Sequence, residues 1–395
     1  MDLQESRWKE YLKNLGWVLA IGSLIFTVVV GGFIVTNLDH LGRLARVVKL
    51  VESDYLEEVS VDTLIEGATK GIVDSLGDPY SSYMNAQENE ELMQQIEGKF
   101  GGVGIILSLK DPQKLVVLRP IKNTPAAKAG LQPGDVIIKI DDVDATTIDQ
   151  EKAVSLMRGN PGTNVTLVVY RESIKQNVTV PLTRENIAVP TVEGLALPGN
   201  SDIAYIGISQ FSSHTALELN EVLRNMDISK YKGMILDLRY NHGGELESAV
   251  GVASYFVQPG PIVYIVDKGG NAVTKASEGN YLGIPFVVLV NEESASAAEI
   301  VSGAIKDRGT GTLVGTKTFG KGIVQTIYQL DRGTSVKLTT AKYLTPNKID
   351  IHKKGIEPDV EVKLKDGEEA TLSPTTKAFD TQLTEALKVL RQQMK

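Results

Sequence analysis

From about residue 187 onward, short apolar runs alternate with segments of helical periodicity. The runs are "IAYIGISQF", "GMILDLR" and "PFVVLV", and the helical patterns that follow them are "HTALELNEVLRNM", "ELESAVGVASYFV" and "ASAAEIVSGAIKD". Strands that alternate with helices in this way build a layered α/β domain. We therefore predict an α/β core over residues 187–366, followed by a C-terminal amphipathic helix within residues 367–395.

The region before this core has a different sequence pattern. Residues 98–186 contain short β-type runs, among them "GGVGIILSL", "GDVIIKIDD" and "NVTLVVYR", with helical inserts at "NTPAAKAGL" and "TTIDQEKAVSLMRG". This pattern predicts a small β-barrel-like domain. Residues 39–97 show amphipathic helical periodicity broken at "SLGDPYSSYM", so we predict a helical segment that serves packing and connection.

The N-terminus carries the longest apolar stretch. No charged residue occurs between Lys13 and Asp39, and "WVLAIGSLIFTVVVGGFIV" is long enough to span a bilayer. A cleaved signal peptide would have a shorter apolar region and a small-x-small cleavage site, which is not evident here. We predict a retained transmembrane anchor within residues 1–38. Basic residues flank it on both sides, so its orientation stays open.

Composition excludes several classes of function. The 395 residues carry a net charge of -8 and no basic stripe, which argues against nucleic-acid binding. The chain has no cysteine, so it has neither disulfides, nor a thiol nucleophile, nor a cysteine-ligated zinc site. We expect no metal ion and no other cofactor.

Two segments that follow apolar runs could carry chemistry. In "NEESASAAEI", Ser296 and Glu299 have the spacing of a helix capping box, but a serine at a helix start is also a candidate nucleophile. In "LDLRYNHGGEL", a turn containing Gly243 and Gly244 could direct backbone N–H groups at an anion. A serine beside free N–H groups is the arrangement needed for acyl transfer.

The serine would need a base. His242 lies beside the Gly-Gly turn, and a Ser-His pair is one alternative. Lys321 in "TKTFGKGIVQ" is the better candidate, because the glycines on either side leave room around its amine. The plain alternative is a solvated turn lysine.

Four ordered motifs now point to a family: "LDLRYNHGG", "SASAAEI", "TFGKGIVQ" and "KGIEPDVEV". Together they resemble the carboxy-terminal processing, or tail-specific, serine proteases. The resemblance implies a crotonase-like or ClpP-like core, an inserted PDZ domain over residues 98–186 and a Ser-Lys mechanism. It implies Ser296 as nucleophile, Lys321 as general base and Gln325 as the residue that orients the lysine, with Ser294 as a neighbour.

The resemblance also implies binding residues. The oxyanion donors would be the N–H of Ala297 and one from Gly243 or Gly244, although His242 departs from the small or proline residue usual in that turn. Arg158 matches an arginine that senses substrate, and its plain alternative is a charge at a helix C-terminus. The segment "FGGVGI" resembles the carboxylate-binding loop of PDZ domains, and its predicted binding residues are Gly101, Gly102, Val103, Gly104 and Ile105.

The proposed role of Lys321 as a base requires two physical conditions. In a straight strand Lys321 and Gln325 would lie about 13 Å apart, so the chain must bend if they are to meet. The lysine pKa must also fall from about 10.4 to about 7 for the amine to accept a proton at neutral pH. We therefore expect Lys321 in a dry pocket.

The leading hypothesis is a membrane-anchored, extracytoplasmic endopeptidase that recognises apolar C-terminal tails of protein substrates. A homo-oligomer or a regulatory partner protein remains open. The rivals are a catalytically silent membrane-tethered PDZ scaffold and a Ser-His hydrolase that uses His242.

Overall fold

The computed structural model describes residues 17, 19, 21–28, 40–108, 114–376 and 378–394. The chain packs as two units divided after Gly77. In the first unit residues 21–28 are helical, α1 spans residues 40–54 and α2 spans Val61–Asp74. Within the described part of the chain, no helix has the length and apolar character needed to cross a membrane. Much of the predicted anchor lies outside the described residues.

The second unit holds all the strands and the remaining helices of the described chain. Its helices are α3 (Ala86–Glu97), α4 (Pro125–Lys128), α5 (Gln150–Met157), α6 (Thr215–Met226), α7 (Leu246–Ala253), α8 (Ala297–Arg308) and α9 (Thr381–Gln393), with 3-10 turns at Ile228–Lys230 and Asp331–Gly333. Its strands are β1 (Ser82–Met84), β2 (Lys99–Gly102), β3 (Ile105–Leu107), β4 (Val117–Pro120), β5 (Val136–Ile140), β6 (Val143–Asp144), β7 (Asn164–Arg171), β8 (Gln176–Thr183), β9 (Glu185–Ala188), β10 (Val192–Leu197), β11 (Asn200–Ile208), β12 (Gly233–Asp237), β13 (Pro261–Asp267), β14 (Ala272–Ala276), β15 (Phe286–Val290), β16 (Thr312–Gly315), β17 (Ile323–Gln329), β18 (Ser335–Leu344) and β19 (Val360–Glu361).

A six-stranded sheet forms the centre of the core, in the order β10-β11-β12-β15-β16-β19. The pairs from β11 to β19 are parallel, and β10 is antiparallel to β11. Every residue of β12 and β15 is buried, because helices cover both faces. One face packs on α6, α7 and α8, and the other packs on α9. The predicted α/β layering is confirmed, and the carboxyl ends of β12 and β15 lie side by side.

An antiparallel sheet adjoins this core, in the order β1-β18-β13-β14, and β17 also pairs with β18. Strand β1 precedes the small β-domain in the chain, whereas β18 follows α8, so the sheet joins segments from opposite ends of the second unit. In β17 a register shift occurs between Val324 and Gln325. The strand that follows Lys321 is therefore bulged rather than straight.

The small β-domain has its own core. Strands β6-β5-β7-β8 form one sheet, and the pairs β3-β4 and β2-β9 complete the domain. Helix α5 begins at Asp149, whose carboxylate accepts the Lys152 N–H at 2.7 Å. The buried residues Ala153 and Met157 of α5 pack into the domain core. A groove is thereby left between α5 and the chain from Phe100 to Ile105.

Candidate active site

Ser296 occupies the N-cap position of α8, directly after the turn that leaves β15. Its backbone has φ 54° and ψ -113°, a conformation that non-glycine residues rarely adopt and that is typical of strained functional sites. The Glu299 carboxylate accepts the Ser296 N–H at 2.9 Å, as in a capping box, whereas the Glu299 N–H donates to the Ser296 carbonyl oxygen at 2.8 Å. The Ser296 side chain itself makes no cap hydrogen bond, so its position at the helix start is compatible with a nucleophile.

Ser294 has a structural position. Its hydroxyl donates to the Leu238 carbonyl oxygen at 2.8 Å and accepts the Asn291 N–H at 2.9 Å. Ser294 is fully buried, and these bonds join the turn after β12 to the turn after β15. Ser294 thus aligns the two strand ends beside Ser296.

The Glu299 carboxylate fixes the backbone of both predicted catalytic residues. One oxygen, Oε2, accepts the N–H of Ser296 at 2.9 Å and the N–H of Lys321 at 2.8 Å. The other, Oε1, accepts the Thr318 hydroxyl at 2.6 Å and the Gly320 N–H at 2.7 Å. Burial raises the pKa of Glu299, and these four hydrogen bonds oppose that rise.

Tyr343 makes a second bridge between the same two residues. Its buried hydroxyl lies 3.0 Å from the Ser296 carbonyl oxygen and 2.5 Å from that of Lys321. Sequence reasoning did not assign this role to Tyr343, and the β pattern of "TTAKYL" contains no signal for it. The bridging role of Glu299 was also missed, although its capping-box spacing marked it as a residue that reaches back to Ser296.

The Lys321 side chain is half-buried. Burial lowers the pKa of Lys321, the charge of Lys337 lowers it further, and the charge of Glu299 opposes both. This direction is the one that a general base requires. The Nζ atom lies 5.0 Å from the centroid of the Tyr80 ring. Within the described chain no hydrogen bond joins Nζ to the Ser296 hydroxyl or to Gln325.

The chain departs from a straight strand at two places near these residues, Gly320 before Lys321 and the register shift between Val324 and Gln325. Gly320 has φ 91°, and a Cβ there would lie 2.8 Å from the Gly355 nitrogen. Gln325 then sits next to the register shift in β17. Its side-chain Nε2 is buried and has no hydrogen-bond partner among the described residues. The predicted orienting contact is therefore not formed through this atom.

The turn after β12 brings Gly243 against the serine. A Cβ on Gly243 would lie 2.7 Å from the Ser296 Cβ and 2.8 Å from the Ala297 nitrogen. A Cβ on Gly244 would instead collide with the Phe211 carbonyl oxygen, at 1.9 Å. Gly243 is thus the glycine adjacent to the predicted oxyanion site, although its N–H already donates to the Asn241 Oδ1 at 2.9 Å.

His242 is not placed as a base for Ser296. Its side chain is 73% exposed, and its Nδ1 lies 3.5 Å from the Glu293 carboxylate. This exposed pair is accessible to solvent, so the Ser-His hypothesis receives no support from the geometry.

A buried ion-pair network lies at the end of β12, and sequence reasoning did not anticipate it. The Arg239 guanidinium contacts Asp237 at 2.7 Å and Asp380 at 3.0 Å, and all three side chains are inaccessible to solvent. The network ties the segment before α9 to the strand that leads into the Gly243 turn. Removing one member would leave a buried charge unpaired.

The groove of the β-domain contains the other predicted binding residues. Residues 100–105 form one side, and Val154, Met157 and Arg158 of the α5 region form the other. The Val103 and Gly104 carbonyl oxygens accept the N–H groups of Ala126 and Ile121, whereas the N–H groups of Val103 and Gly104 have no hydrogen-bond acceptor in the described chain. The Arg158 guanidinium lies 4.4 Å from the centroid of the Phe100 ring, at one end of the groove.

Comparison with known proteins identifies the class. Residues 202–362 match the model of peptidase family S41, residues 116–171 match a PDZ domain, and residues 34–88 match the activating protease CtpB N-terminal domain. The fold is also found in a putative S41 protease from Bacteroides fragilis NCTC 9343. That structure has a TM-score of 0.53 at 18% identity, over 86% of this chain and 91% of that one.

Two curated relatives are similar over most of their length. The chain is 38% identical over 333 residues to the carboxy-terminal processing protease CtpA of Bacillus subtilis (strain 168), covering 84% of this chain and 71% of the relative. It is 34% identical over 330 residues to CtpB of the same organism, covering 82% and 68%. The protein belongs to the carboxy-terminal processing serine proteases of peptidase family S41, and it carries a PDZ domain.

Proposed function

We propose that this protein is a membrane-anchored endopeptidase that binds the free C-termini of protein substrates in its PDZ groove and cleaves them through a Ser296-Lys321 dyad. The observation that carries the proposal is the shared attachment of the two residues. A single carboxylate oxygen of Glu299 accepts both backbone N–H groups, and the Tyr343 hydroxyl contacts both carbonyl oxygens. Two chain segments are held together at the residues whose chemistry must be coupled.

The mechanism follows from these positions. Neutral Lys321 accepts the Ser296 hydroxyl proton while the serine oxygen attacks the scissile carbonyl carbon. The oxyanion receives the Ala297 N–H, and the Gly243 N–H joins it when Asn241 releases that group. The Lys321 ammonium then protonates the departing amine, and water hydrolyses the acyl-enzyme with the lysine again as base. Gln325 orients the amine during these steps.

The PDZ groove supplies recognition of the tail. The free N–H groups of Val103 and Gly104 suit a terminal carboxylate, and Gly101, Gly102 and Ile105 line the adjoining chain. Val154 and Met157 make the opposite wall apolar, which favours small apolar side chains at the substrate terminus. Arg158 at the end of the groove is suited to report the bound tail to the protease core.

The apolar stretch in residues 17–35 supports an anchor that leaves the PDZ and protease domains on the extracytoplasmic side. The domain limits proposed from the sequence, at residues 38, 97, 186 and 366, separate the anchor, helical segment, PDZ domain, core and C-terminal helix. Other copies of the chain or a regulatory protein are proposed partners besides the substrates.

A pair of peptides with identical sequences and an apolar C-terminal residue tests the enzymatic part, one with a free carboxylate and one amidated. We expect Ser296→Ala and Lys321→Ala each to reduce hydrolysis of the free acid by at least about a thousandfold, and the double variant to be no worse. His242→Ala is the control and should retain activity. Turnover by Lys321→Ala at neutral pH would disprove the dyad, and equal cleavage of both peptides by the intact enzyme would disprove tail recognition.

The anchor is tested separately in cells. The intact chain should sediment with membranes, and a chain lacking residues 1–38 should not. An added protease should digest the PDZ and protease domains on intact cells from which any outer barrier has been removed. Complete protection of residues 100–390 would contradict the proposed topology.

A further inference from the structure

The Tyr80 ring is the nearest aromatic contact of the Lys321 amine, and the catalytic scheme does not use it. The Nζ atom lies 5.0 Å from the ring centroid, within the range of a cation–π interaction. Tyr80 belongs to the segment just before β1, far in sequence from Lys321. Its position must therefore be explained by what holds that segment.

The segment is firmly attached to β18. The Asp78 carboxylate accepts the Tyr80 N–H at 3.1 Å, and its Oδ2 accepts the hydroxyls of Ser81 and Thr339, each at 2.6 Å. The His352 ring contacts the Tyr80 ring in an edge-on geometry, with centroids 6.5 Å apart and planes at 66°. Tyr80 is thus fixed from both the β18 side and the loop that carries His352.

We propose that Tyr80 is a positioning residue that holds the Lys321 ammonium in a resting place apart from Ser296, so that cleavage requires the amine to leave the ring. The proposal rests on the dyad proposed above. It agrees with the state of Gln325, whose buried Nε2 has no partner in the described chain while the lysine lies at Tyr80. Gln325 and Lys321 would meet only after release.

The groups around the Lys321 amine determine how strongly its charged form is favoured at the ring and away from it. Burial and Lys337 on β18 disfavour the ammonium, whereas Glu299 on α8 favours it. The negative face of the Tyr80 ring also favours the ammonium, and His352 contacts that ring rather than the amine. At the ring the lysine is stored as a cation, and away from it a larger fraction of the lysine is neutral and able to accept a proton.

Variants at Tyr80 distinguish the electrostatic effect of the ring's negative face from the effect of simple packing. Tyr80→Leu removes the ring, Tyr80→Phe keeps its face, and Tyr83→Leu makes the same change at a half-buried tyrosine of β1 as a matched control. With the amidated peptide, we expect Tyr80→Leu to raise tail-independent cleavage by about three- to thirtyfold, since cation–π contacts of this kind are worth that range in population. Tyr80→Phe and Tyr83→Leu should stay close to the parent enzyme.

A second measurement does not depend on activity. In the Ser296→Ala protein, NMR titration of isotope-labelled lysine amines should show a lower Lys321 pKa with Tyr80→Leu than with Tyr80→Phe. Pentafluorophenylalanine at position 80 keeps the ring shape and reverses its charge distribution, so it should act like Tyr80→Leu even if the leucine variant folds poorly.

The outcomes are distinct. An unchanged Lys321 titration in the leucine and pentafluoro variants, or a tail-independent rate that does not rise in either, would overturn the resting contact. If the titration shifts as expected but Lys321→Ala still hydrolyses the free-acid peptide, the contact with Tyr80 is real and the dyad, with any catalytic meaning of that contact, is wrong.

Discussion

The Ser296 and Lys321 sides of the candidate active site have the same backbone contacts, but their side chains differ in what they contact. On the serine side, Ser294 aligns the strand ends, and the Ala297 N–H has no hydrogen-bond acceptor among the described residues. On the lysine side, the Lys321 amine lies against Tyr80, and the buried Nε2 of Gln325 has no hydrogen-bond partner in the described part of the chain. The backbone bridges through Glu299 and Tyr343 serve both halves alike.

This difference indicates that activation should change side chains rather than the backbone at Ser296 and Lys321. The main chain at Ser296 and Lys321 is already in register, so no large refolding of the core is needed to bring the residues together. Within the described residues no hydrogen bond joins the two side chains, so we expect activation to act on the Lys321 side chain. A PDZ domain that shifts the surroundings of Lys321 slightly could therefore switch the enzyme.

Glu299→Ala should have the largest effect, because it removes the acceptor shared by both halves. We expect kcat/KM to fall by about a hundredfold through misplacement of the dyad, and the free energy of unfolding to fall by about 3 kcal/mol as buried N–H groups lose their partner. Peptide kinetics and urea unfolding measure the two effects. Glu292→Ala is the control, since that exposed carboxylate accepts the Thr316 hydroxyl and makes no contact with Ser296 or Lys321 among the described residues, and an equal loss there would remove the special role of Glu299.

Gln325→Ala tests the lysine half alone. We expect kcat to fall by about tenfold with KM unchanged, because Gln325 orients the base only in the active arrangement. The free energy of unfolding should not fall, since the buried Nε2 has no hydrogen bond to lose. Gln329→Ala on the same strand is the reverse control: it breaks bonds with Asn89 and should cost stability rather than turnover. Unaltered kcat in Gln325→Ala would show that Gln325 has no orienting role.

Tyr343→Phe removes the hydroxyl that spans the two halves and keeps the buried ring. We expect about a fivefold loss of kcat/KM and a loss of about 2 kcal/mol in unfolding free energy, because the single hydroxyl proton shared between the two carbonyl oxygens is lost. Thermal unfolding and peptide kinetics would measure both. A variant with parental stability and rate would mean that the Glu299 carboxylate alone holds the halves together.

Lys337→Gln should have the smallest effect, and the direction of the change in the Lys321 pKa is defined. The charge of Lys337 lowers the pKa of Lys321, so its removal raises that pKa and leaves less neutral amine at pH 7. Activity at pH 7 should fall by about threefold and the acid limb of the kcat profile should move to higher pH, with parental rates at pH values above that limb. Lys342→Gln on the same strand, paired with Asp350, should leave the profile in place. A shift to lower pH would contradict the assignment.

The sequence predicted the layers of the core and the locations of Ser296, Lys321 and the Gly243 turn, because each follows a strand or lies between glycines with a local signature. It could not predict that one Glu299 oxygen accepts hydrogen bonds from two chain segments. The motif "SASAAEI" contains the carboxylate, but nothing in it indicates that the segment with Lys321 packs beside it. Tyr343 and Arg239 were missed for the same reason. The partners of Tyr343 lie 22 and 47 positions away in the chain and the Asp380 partner of Arg239 lies 141 positions away, so only the folded core brings them together.

The pairing of β1 with β18 has a consequence for biosynthesis. Thr339 donates its N–H to Ser81 across 258 positions of sequence, so this edge of the sheet is incomplete until residues near Leu344 have left the ribosome. The PDZ domain is made entirely between the two partners and can fold while the second is still absent. Lys321 therefore receives its Tyr80 and Lys337 neighbours only when nearly the whole chain exists.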